Sequence, residues 1–219
     1  MRVPRRALPT SVEIEIWSDV VCPWCYIGKT RLEQAVAQYP GEVTLRWRAY
    51  QLDPTTESTG APLVPALAHK FGGPEQARQV FARTTAAAAG DGLELRFDDA
   101  VNANTFDAHR LIWFAGQHGR QAELVDALHA AHFTGGLDIG SRPVLAKIAA
   151  EHGLDAAAFL DSEAGSAEVA ADLQEAAELG VTSVPTFVID GKYAVSGAQP
   201  VEVFAQVLSE VERLSTASA

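Results

Sequence analysis

The two cysteines of this chain lie three positions apart, in the stretch SDVVCPWCYIGK that covers residues 18–29. Cys22 and Cys25 enclose Pro23 and Trp24. Two thiols at this spacing can close a disulfide and reopen it, which is the chemistry of thiol–disulfide exchange. A bridge across two intervening residues closes a very small loop and adds little stability, so a purely structural disulfide is a poor explanation.

The segments around this stretch predict a strand, a helix and a second strand. Residues 12–17, VEIEIW, alternate apolar and acidic side chains, which is the period of a half-buried strand. Apolar residues then recur every three to four positions from Pro23 until Pro40 and Gly41 stop the pattern. Residues 43–50, VTLRWRAY, alternate again. This order is typical of a parallel βαβ unit with the cysteines at the start of its helix.

That position predicts different environments for the two sulfurs. Pro23 suits the first helical position, which makes Cys22 the N-cap. Its sulfur would then face the free N–H groups of Trp24 and Cys25 at the positive end of the helix dipole, which favours the thiolate. Asp19, three residues earlier, would oppose this effect if its carboxylate pointed to the sulfur. Cys25 falls on the buried stripe, so we expect an exposed reactive sulfur and a shielded resolving one.

A metal site and a pair of inert thiols are weaker interpretations of the two cysteines. A zinc site normally needs four protein ligands, and the chain has no second C-x-x-C. His129 and His132 could share a helical face, but they lie far along the chain, and we interpret them as solvated helix residues. Two inert buried cysteines would suit Cys25 better than Cys22. We therefore predict no metal and no cofactor beyond the redox-active pair.

The other end of the chain completes a sheet. Residues 185–190, PTFVID, predict a buried strand, Asp190-Gly191 predicts a hairpin turn, and residues 192–197 return as a strand. Pro200 begins a final amphipathic helix. The intervening block is mostly helical, with helices predicted at 74–89, 104–118, 121–133, 142–152 and 166–179. We expect an α/β protein of the thioredoxin-like type, β-α-β followed by β-β-α. Its discontinuous domain is predicted at 11–61 and 183–216, with an all-helical insertion at 62–182 and a flexible basic tail at 1–10.

Composition restricts the partners. The 219 residues are 47% hydrophobic, which is enough for a sizeable core, and carry a net charge of −11. Such an acidic chain repels phosphate backbones, so we predict neither nucleic acid nor an anionic membrane as partner. No apolar run reaches the roughly 18 to 20 residues that span a bilayer. The opening MRVPRRALPT does not have the pattern of a signal peptide, and we expect a cytoplasmic protein.

Three motifs in order resemble a known family. They are C-P-W-C at the start of a helix, NTFDAHRLIWFA at 104–115 and VPTFVIDGKYAVSGAQP near the end. Together they are similar to the DsbA-like thioredoxin-fold oxidoreductases, and within them to the FrnE-like subgroup. The resemblance covers residues 12–214.

The resemblance implies a thiol–disulfide oxidoreductase with Cys22 as nucleophile and Cys25 as resolving thiol. It also implies a cis Val184–Pro185 bond beside Cys22, and a substrate site that includes Pro23, Trp24, Val184 and Pro185. A protein or small-molecule thiol or disulfide is the expected substrate. Two interpretations of the 104–115 motif remain. His109 and Arg110 either border a substrate pocket, or serve as an interior hydrogen bond and an ion pair, with Asn104 as the helix N-cap.

Two other functions compete with this one. Some relatives are 2-hydroxychromene-2-carboxylate isomerases, similar to kappa-class glutathione transferases, which use serine where this chain has Cys22. An isomerase or transferase of that kind has no need of Cys25. A non-catalytic binder or holdase would need neither cysteine.

Overall fold

The computed structural model describes residues 11–217, with side chains through Leu214. In that part of the chain the strands are β1 (Ser11–Ser18), β2 (Glu42–Ala49), β3 (Thr186–Ile189) and β4 (Tyr193–Ser196). They form a four-stranded sheet in the order β2-β1-β3-β4, in which β1 and β2 are parallel and the other neighbours antiparallel. Both chain ends therefore build one sheet, as predicted. The predicted basic tail at 1–10 lies outside the described residues.

The helices follow the predicted order. They are α1 (Pro23–Gln38), α2 (Leu63–Leu67), α3 (Pro74–Gly90), α4 (Phe106–Gln117), α5 (Gln121–Phe133), α6 (Arg142–Glu151), α7 (Ala157–Asp161), α8 (Ser166–Glu178) and α9 (Val201–Ala217). The α/β thioredoxin-like fold and its helical insertion are thus confirmed. The sequence did not predict α2, the 3₁₀ turn at Ala68–Phe71 or α7. Each has at most five residues, too few to show a helical period.

The central strand β1 carries side chains to both faces of the sheet. Ile14 and Ile16 are buried on one face, and Trp17 is buried on the other, where its indole N–H points to the Asp172 carbonyl of α8. Arg48 of β2 lies on that second face, 5.7 Å from the Trp17 ring, and forms three ion pairs. Its partners are Glu15, Asp172 and Glu175, at 2.6 to 2.8 Å. These contacts bind α8 to the sheet close to the turn that follows β1.

The hairpin between β3 and β4 forms at the predicted dipeptide. Asp190 has a φ of 50° and Gly191 a φ of 64°. Two successive positive φ values are what a tight hairpin turn of type I′ requires, and Asp-Gly tolerates them well.

Side chains of the helical insertion pack against those of the sheet and of α1 in two buried clusters. One buried cluster joins Ile14, Ile16 and Phe187 of the sheet to Leu124 and Leu145 of the insertion. A second cluster brings Ile27 of α1 against aromatic side chains that include Phe81, Phe97 and Phe133. The helical block therefore packs directly on the α1 helix that carries the cysteines. The domain boundaries proposed from the sequence stay a prediction.

Candidate active site

Cys22 occupies the position predicted for it, but its sulfur points elsewhere. It is the N-cap of α1, with φ −92° and ψ 112°, and Pro23 follows it in the first turn. The side chain makes no capping hydrogen bond. Its thiol donates instead to the Val184 carbonyl, with 3.8 Å between sulfur and oxygen. The expectation that the sulfur faces the N–H groups of Trp24 and Cys25 is therefore wrong, because the loop before β3 offers it an acceptor on the other side.

The exposure of the pair also differs from the prediction. Cys22 is only 5% exposed, since the Val184 loop lies over it, whereas Cys25 is 1% exposed and shielded as expected. Trp24, between them, is 42% exposed. The exposed surface beside Cys22 is therefore that of Trp24, and the Cys22 sulfur is covered.

The Cys25 thiol is held in its protonated form. Burial raises its pKa well above the ordinary value, and the neighbouring Cys22 raises it further. Hydrogen bonds from the Asp19 backbone amide and the Ser18 side chain act in the opposite direction but are weaker. Both cysteines are free thiols in this structure. Any reaction at Cys25 must therefore begin with the removal of a proton.

The Val184–Pro185 bond is cis, as the resemblance implied. The loop is held on both sides: the Thr186 hydroxyl donates to the Ser183 carbonyl at 2.8 Å, and Gly197 N–H donates to the Pro185 carbonyl at 2.8 Å. A third contact comes from α1. A Cβ atom at Gly28 would lie 2.8 Å from Pro185 Cγ and 3.3 Å from Phe187 Cζ, so only glycine lets the helix approach the loop this closely.

Gly28→Ala should therefore destabilise the protein, although alanine is the better helix former. We expect a loss of about 1–3 kcal/mol in the free energy of unfolding, as for overpacked cores. Gly90 is the matched control, because it also lies in a helix but a Cβ atom there would have no neighbouring atom within 4 Å. Gly90→Ala should be neutral or stabilising by up to about 1 kcal/mol. Urea unfolding of both variants measures the difference; equal stabilities would contradict the contact.

Within the 104–115 motif, Arg110 makes its contacts inside the protein. Arg110 is buried and pairs with Asp107 at 2.5 Å. It also donates to the carbonyls of four residues, which lie in the second half of α7 and in the turn that follows it. Those acceptors are Phe159, Leu160, Ser162 and Ala164. This confirms the ion-pair interpretation of Arg110.

Asn104 does not have the capping position that the sequence indicated. The N-cap of α4 is Thr105, and the helix begins at Phe106. The Asn104 side chain still accepts from the Phe106 N–H at 2.9 Å, and it donates to the carbonyls of Pro54 and Thr56. It therefore connects the start of α4 to the loop after β2. The helix begins two residues later than predicted.

His109 lies inside the protein. It is 4% exposed, and its Nε2 is 3.4 Å from Oδ1 of the buried Asp19. The other carboxylate oxygen of Asp19 accepts from the Leu52 N–H at 2.8 Å. Asp19 thus connects the turn before α1, the loop after β2 and helix α4. The structure brings Cys22, Cys25 and Val184 together, flanks them with Pro23, Trp24 and Pro185, and links His109 to them through Asp19.

The prediction that His129 and His132 are solvated is wrong. Both side chains are fully buried, and none of their four ring nitrogens makes a hydrogen bond. His129 stacks on Tyr26 of α1, with ring centroids 4.8 Å apart, and His132 packs edge-on against Phe133. A signal was present: these histidines continue the apolar stripe of α5 that runs through Val125 and Leu128.

Burial makes this histidine pair sensitive to acid. It lowers the pKa of His129 to about 3, with a further contribution from Lys29, and that of His132 to about 4. The unfolded chain binds protons at these rings below about pH 6.5, whereas the folded chain does not. The contribution of these two rings to the free energy of unfolding is therefore fully present above that pH and falls as the pH drops towards 4. We expect a loss of about 2–3 kcal/mol per ring between pH 7 and pH 4.

His129→Phe keeps a ring against Tyr26. This variant should reduce the acid-induced loss in the free energy of unfolding by the amount expected for one histidine ring. His118 is an exposed histidine at the end of α4, and His118→Gln should leave the pH dependence unchanged. Urea unfolding at pH 7 and pH 4 gives the loss in the free energy of unfolding between the two pH values. If this loss is the same in His129→Phe as in the wild type, other groups cause the acid sensitivity.

Residues 11–217 were also considered for a metal centre and a membrane span, and contain neither. No three His, Cys, Asp or Glu side chains in this range are placed to hold a metal ion. None of the helices there has the length and apolar content needed to cross a membrane.

A C-x-x-C pair at the start of α1, facing a cis-proline loop on a β2-β1-β3-β4 sheet, defines the thioredoxin-like class of redox proteins. The chain belongs to the family of the DsbA-like thioredoxin domain, whose family model matches residues 13–209. This is a family of thiol–disulfide oxidoreductases that act on thiol and disulfide substrates. Its membership confirms the resemblance at the family level, and the FrnE-like subgroup stays a prediction.

Individual proteins are similar to this chain over most of its length. A probable DsbA oxidoreductase, SCO1869 from Streptomyces coelicolor, is 41% identical with a TM-score of 0.85, over 91% of this chain and 89% of that one. The uncharacterized protein YwbO of Bacillus subtilis is 27% identical over 93% of this chain and 98% of its own length. The cytosolic disulfide reductase DsbM from Pseudomonas aeruginosa, in a structure with GSH, shares the fold at 21% identity and a TM-score of 0.63, over 91% and 99% of the two chains.

Proposed function

We propose that this protein catalyses thiol–disulfide exchange through Cys22 and Cys25, with protein or small-molecule thiols as its substrates. The observation that carries the proposal is the pairing of the two sulfurs at one helix start, one against the Val184 carbonyl and one buried behind it. Cys22 attacks a substrate disulfide and forms a mixed disulfide. Cys25 then displaces the substrate sulfur and closes the Cys22–Cys25 bridge.

The groups around Cys22 suit an extended substrate. The Val184 backbone can pair with a substrate segment by strand addition, in which main-chain groups supply the affinity and varied side chains are accepted. Trp24 offers an exposed apolar surface on the other side of the Cys22 sulfur. Pro23 and Pro185 form the two edges of this substrate surface. His109 is too deeply buried for substrate contact, and we assign it to the interior instead.

Glutathione is the small thiol we propose as a partner, and the cytoplasm is the compartment. DsbM, which shares the fold, is a cytosolic disulfide reductase with a structure that contains GSH. A cytoplasmic role fits a C-x-x-C pair that is used for transient exchange, because permanent disulfides are rare in that compartment.

The test is an exchange assay in both directions. The purified protein should accelerate the reduction of insulin disulfides by reduced glutathione, the oxidation of a reduced model protein by oxidised glutathione, or both. Cys22→Ala is the control and should reduce either rate to that of the buffer. If the wild-type rate equals the buffer rate in both assays, the proposed function is wrong.

A further inference from the structure

Helix α1 holds the segment that follows β4 through two residues on one face. Gly28 and Arg31 are three positions apart, so both lie on the same side of the helix. A Cβ atom at Gly28 would lie 3.4 Å from Ala198 Cα, which shows how closely the segment approaches. One turn further along, Arg31 Nη1 donates to the Ala198 carbonyl at 2.8 Å. The helix that carries the cysteines therefore holds the 197–199 segment at two points.

Arg31 also reaches the end of α3 in the helical insertion. Its Nε is 3.0 Å from both carboxylate oxygens of Asp91, and its Nη2 is 2.9 Å from Oδ2. The two side chains are only 21% and 11% exposed. A two-pronged contact between a guanidinium and a carboxylate fixes the relative direction of both groups as well as their distance. Arg31 thus joins three parts of the chain, which are α1, the insertion and the 197–199 segment.

Helix α3 alone does not account for an aspartate at position 91. Asp91 is the C-cap of α3, where the helix dipole is negative and a carboxylate is unfavourable. The last turn of α3 contains no basic residue that would compensate it. Arg31, from another helix, supplies that compensation. The contact between α1 and α3 is therefore the feature that explains Asp91.

The 197–199 segment in turn holds the loop that lies over Cys22. Gly197 N–H donates to the Pro185 carbonyl at 2.8 Å. Val184, the preceding residue, accepts from the Cys22 thiol and carries the main-chain groups that the proposed function assigns to substrate pairing. The place of Val184 therefore depends on that of the 197–199 segment. A chain of contacts thus runs from the insertion to the backbone that would pair with a substrate.

The Cys22 sulfur itself does not depend on these contacts. Cys22 N–H donates to the Asp19 carbonyl at 3.0 Å, and the Cys22 carbonyl accepts from the Cys25 N–H at 3.0 Å. Arg31 follows Cys22 by more than two helical turns, and each of its three side-chain nitrogens has a partner inside the protein. It is therefore a positioning residue and not a group that touches the reacting atoms.

We propose that Arg31, tied to Asp91, positions the Val184 backbone for main-chain pairing with extended polypeptide substrates, an inference that rests on the proposed function. A hydrogen bond from a charged group shifts the equilibrium between an ordered and a displaced loop by about ten- to a hundredfold. The apparent affinity for a substrate scales with the fraction of molecules whose loop is ordered. Small disulfides need only the sulfur, so their reaction does not depend on Arg31. The contact therefore favours substrates that have a main chain on both sides of the reacting cysteine.

Two reagents with the same leaving group separate binding from chemistry. One is a short linear peptide whose single central cysteine forms a disulfide with 2-nitro-5-thiobenzoate, and the other is 2-mercaptoethanol in the same disulfide. The Cys22 thiolate attacks the aliphatic sulfur and forms a mixed disulfide, and the coloured thiolate leaves with the electron pair, because the thiol of lower pKa leaves faster. Stopped-flow absorbance against reagent concentration gives a half-saturation concentration and a maximal rate. In the wild type the peptide should saturate at the lower concentration, because only the peptide can pair with Val184.

Arg31→Met should raise the half-saturation concentration for the peptide by about tenfold and keep the maximal rate within about threefold of the wild type. Its second-order rate with the mercaptoethanol reagent should also stay within about threefold, since only substrate binding is weakened. Arg31→Lys keeps the charge for Asp91 but lacks the fork that also reaches Ala198, so its value should lie between the two. Asp91→Asn should shift the half-saturation concentration in the same direction as Arg31→Met.

A second measurement reports the loop directly. The Gly197 amide hydrogen, which donates to Pro185, should exchange with deuterium faster in Arg31→Met than in the wild type, as followed by NMR. Urea unfolding shows that each variant is folded under the conditions of the assay. Arg120→Met is the control, because Arg120 is 47% exposed and pairs with Glu123 on the surface of the insertion. It should change neither the kinetics with the two reagents nor the exchange.

Equal losses with both reagents in Arg31→Met would overturn the inference, since a merely structural role lowers the fraction of active protein for every substrate. An unchanged half-saturation concentration for the peptide would overturn it too, and so would a wild type that does not prefer the peptide. If Cys22 of the wild type reacts with neither reagent, the proposed function itself is wrong.

Discussion

A Cys25→Ser variant should accumulate one mixed disulfide per chain and then stop. Cys22 remains free to attack a substrate disulfide, but a serine hydroxyl cannot displace the substrate sulfur in the second step. With oxidised glutathione, mass spectrometry should find a single glutathione adduct on nearly every chain, and peptide mapping should place it on Cys22. Turnover with a protein substrate should fall to the uncatalysed rate.

Cys22→Ser is the matched control, since it removes the other sulfur of the same pair. It should form no adduct under these conditions, because Cys25 is buried and its pKa is raised well above the ordinary value. An adduct on Cys25 would show that the roles are reversed. Normal turnover by Cys25→Ser would favour an isomerase or transferase, whose chemistry does not need the second cysteine.

Arg110→Met should cause the largest loss of stability among single substitutions in the 104–115 motif. The guanidinium is 1% exposed and donates to Asp107 and to the carbonyls of the segment 159–164. Its removal takes the charged donor away from the carbonyls of Leu160, Ser162 and Ala164. Asp107 keeps its pair with Arg142, and the Phe159 carbonyl keeps the Ser162 N–H. Breaking a buried ion pair of this kind costs about 3–5 kcal/mol, so we expect a loss of that size in the free energy of unfolding.

Arg142→Met provides the comparison, because Arg142 pairs with the same Asp107 carboxylate at 2.7 Å but is 43% exposed. An exposed pair contributes about 0–1 kcal/mol, so this variant should unfold close to the wild type. Urea unfolding of both proteins decides the matter. Equal losses in the two variants would mean that Asp107, rather than the carbonyls around Arg110, dominates the contact.

The sequence predicted the order of the elements because local signals mark most of them. Alternation marks β1, Pro23 marks the start of α1, and Asp190-Gly191 marks the last hairpin. The cis bond at Val184–Pro185 was available only through family resemblance, since nothing in the local sequence selects that isomer. Helices α2 and α7 are too short to carry a period.

The candidate site was predictable in its residues but not in its contacts. Spacing and Pro23 indicate which cysteine begins the helix, and this was right. The burial of Cys22 depends on Val184, 162 positions away, so no local pattern could indicate it. The Asp19–His109 contact likewise joins residues 90 positions apart. The prediction for His129 and His132 is wrong because their place on the apolar stripe of α5 outweighs the polarity of their rings.

The central claim is that Cys22 and Cys25 switch together between a dithiol and a disulfide. The most direct measurement equilibrates the wild-type protein with glutathione buffers of graded potential, quenches with acid, and counts free thiols and bound glutathione by mass spectrometry. We predict one two-electron transition, at a potential between about −270 and −120 mV, in which both thiols disappear together and no glutathione remains bound. Two thiols that persist across the whole range, or a stable singly glutathionylated protein, would contradict the account.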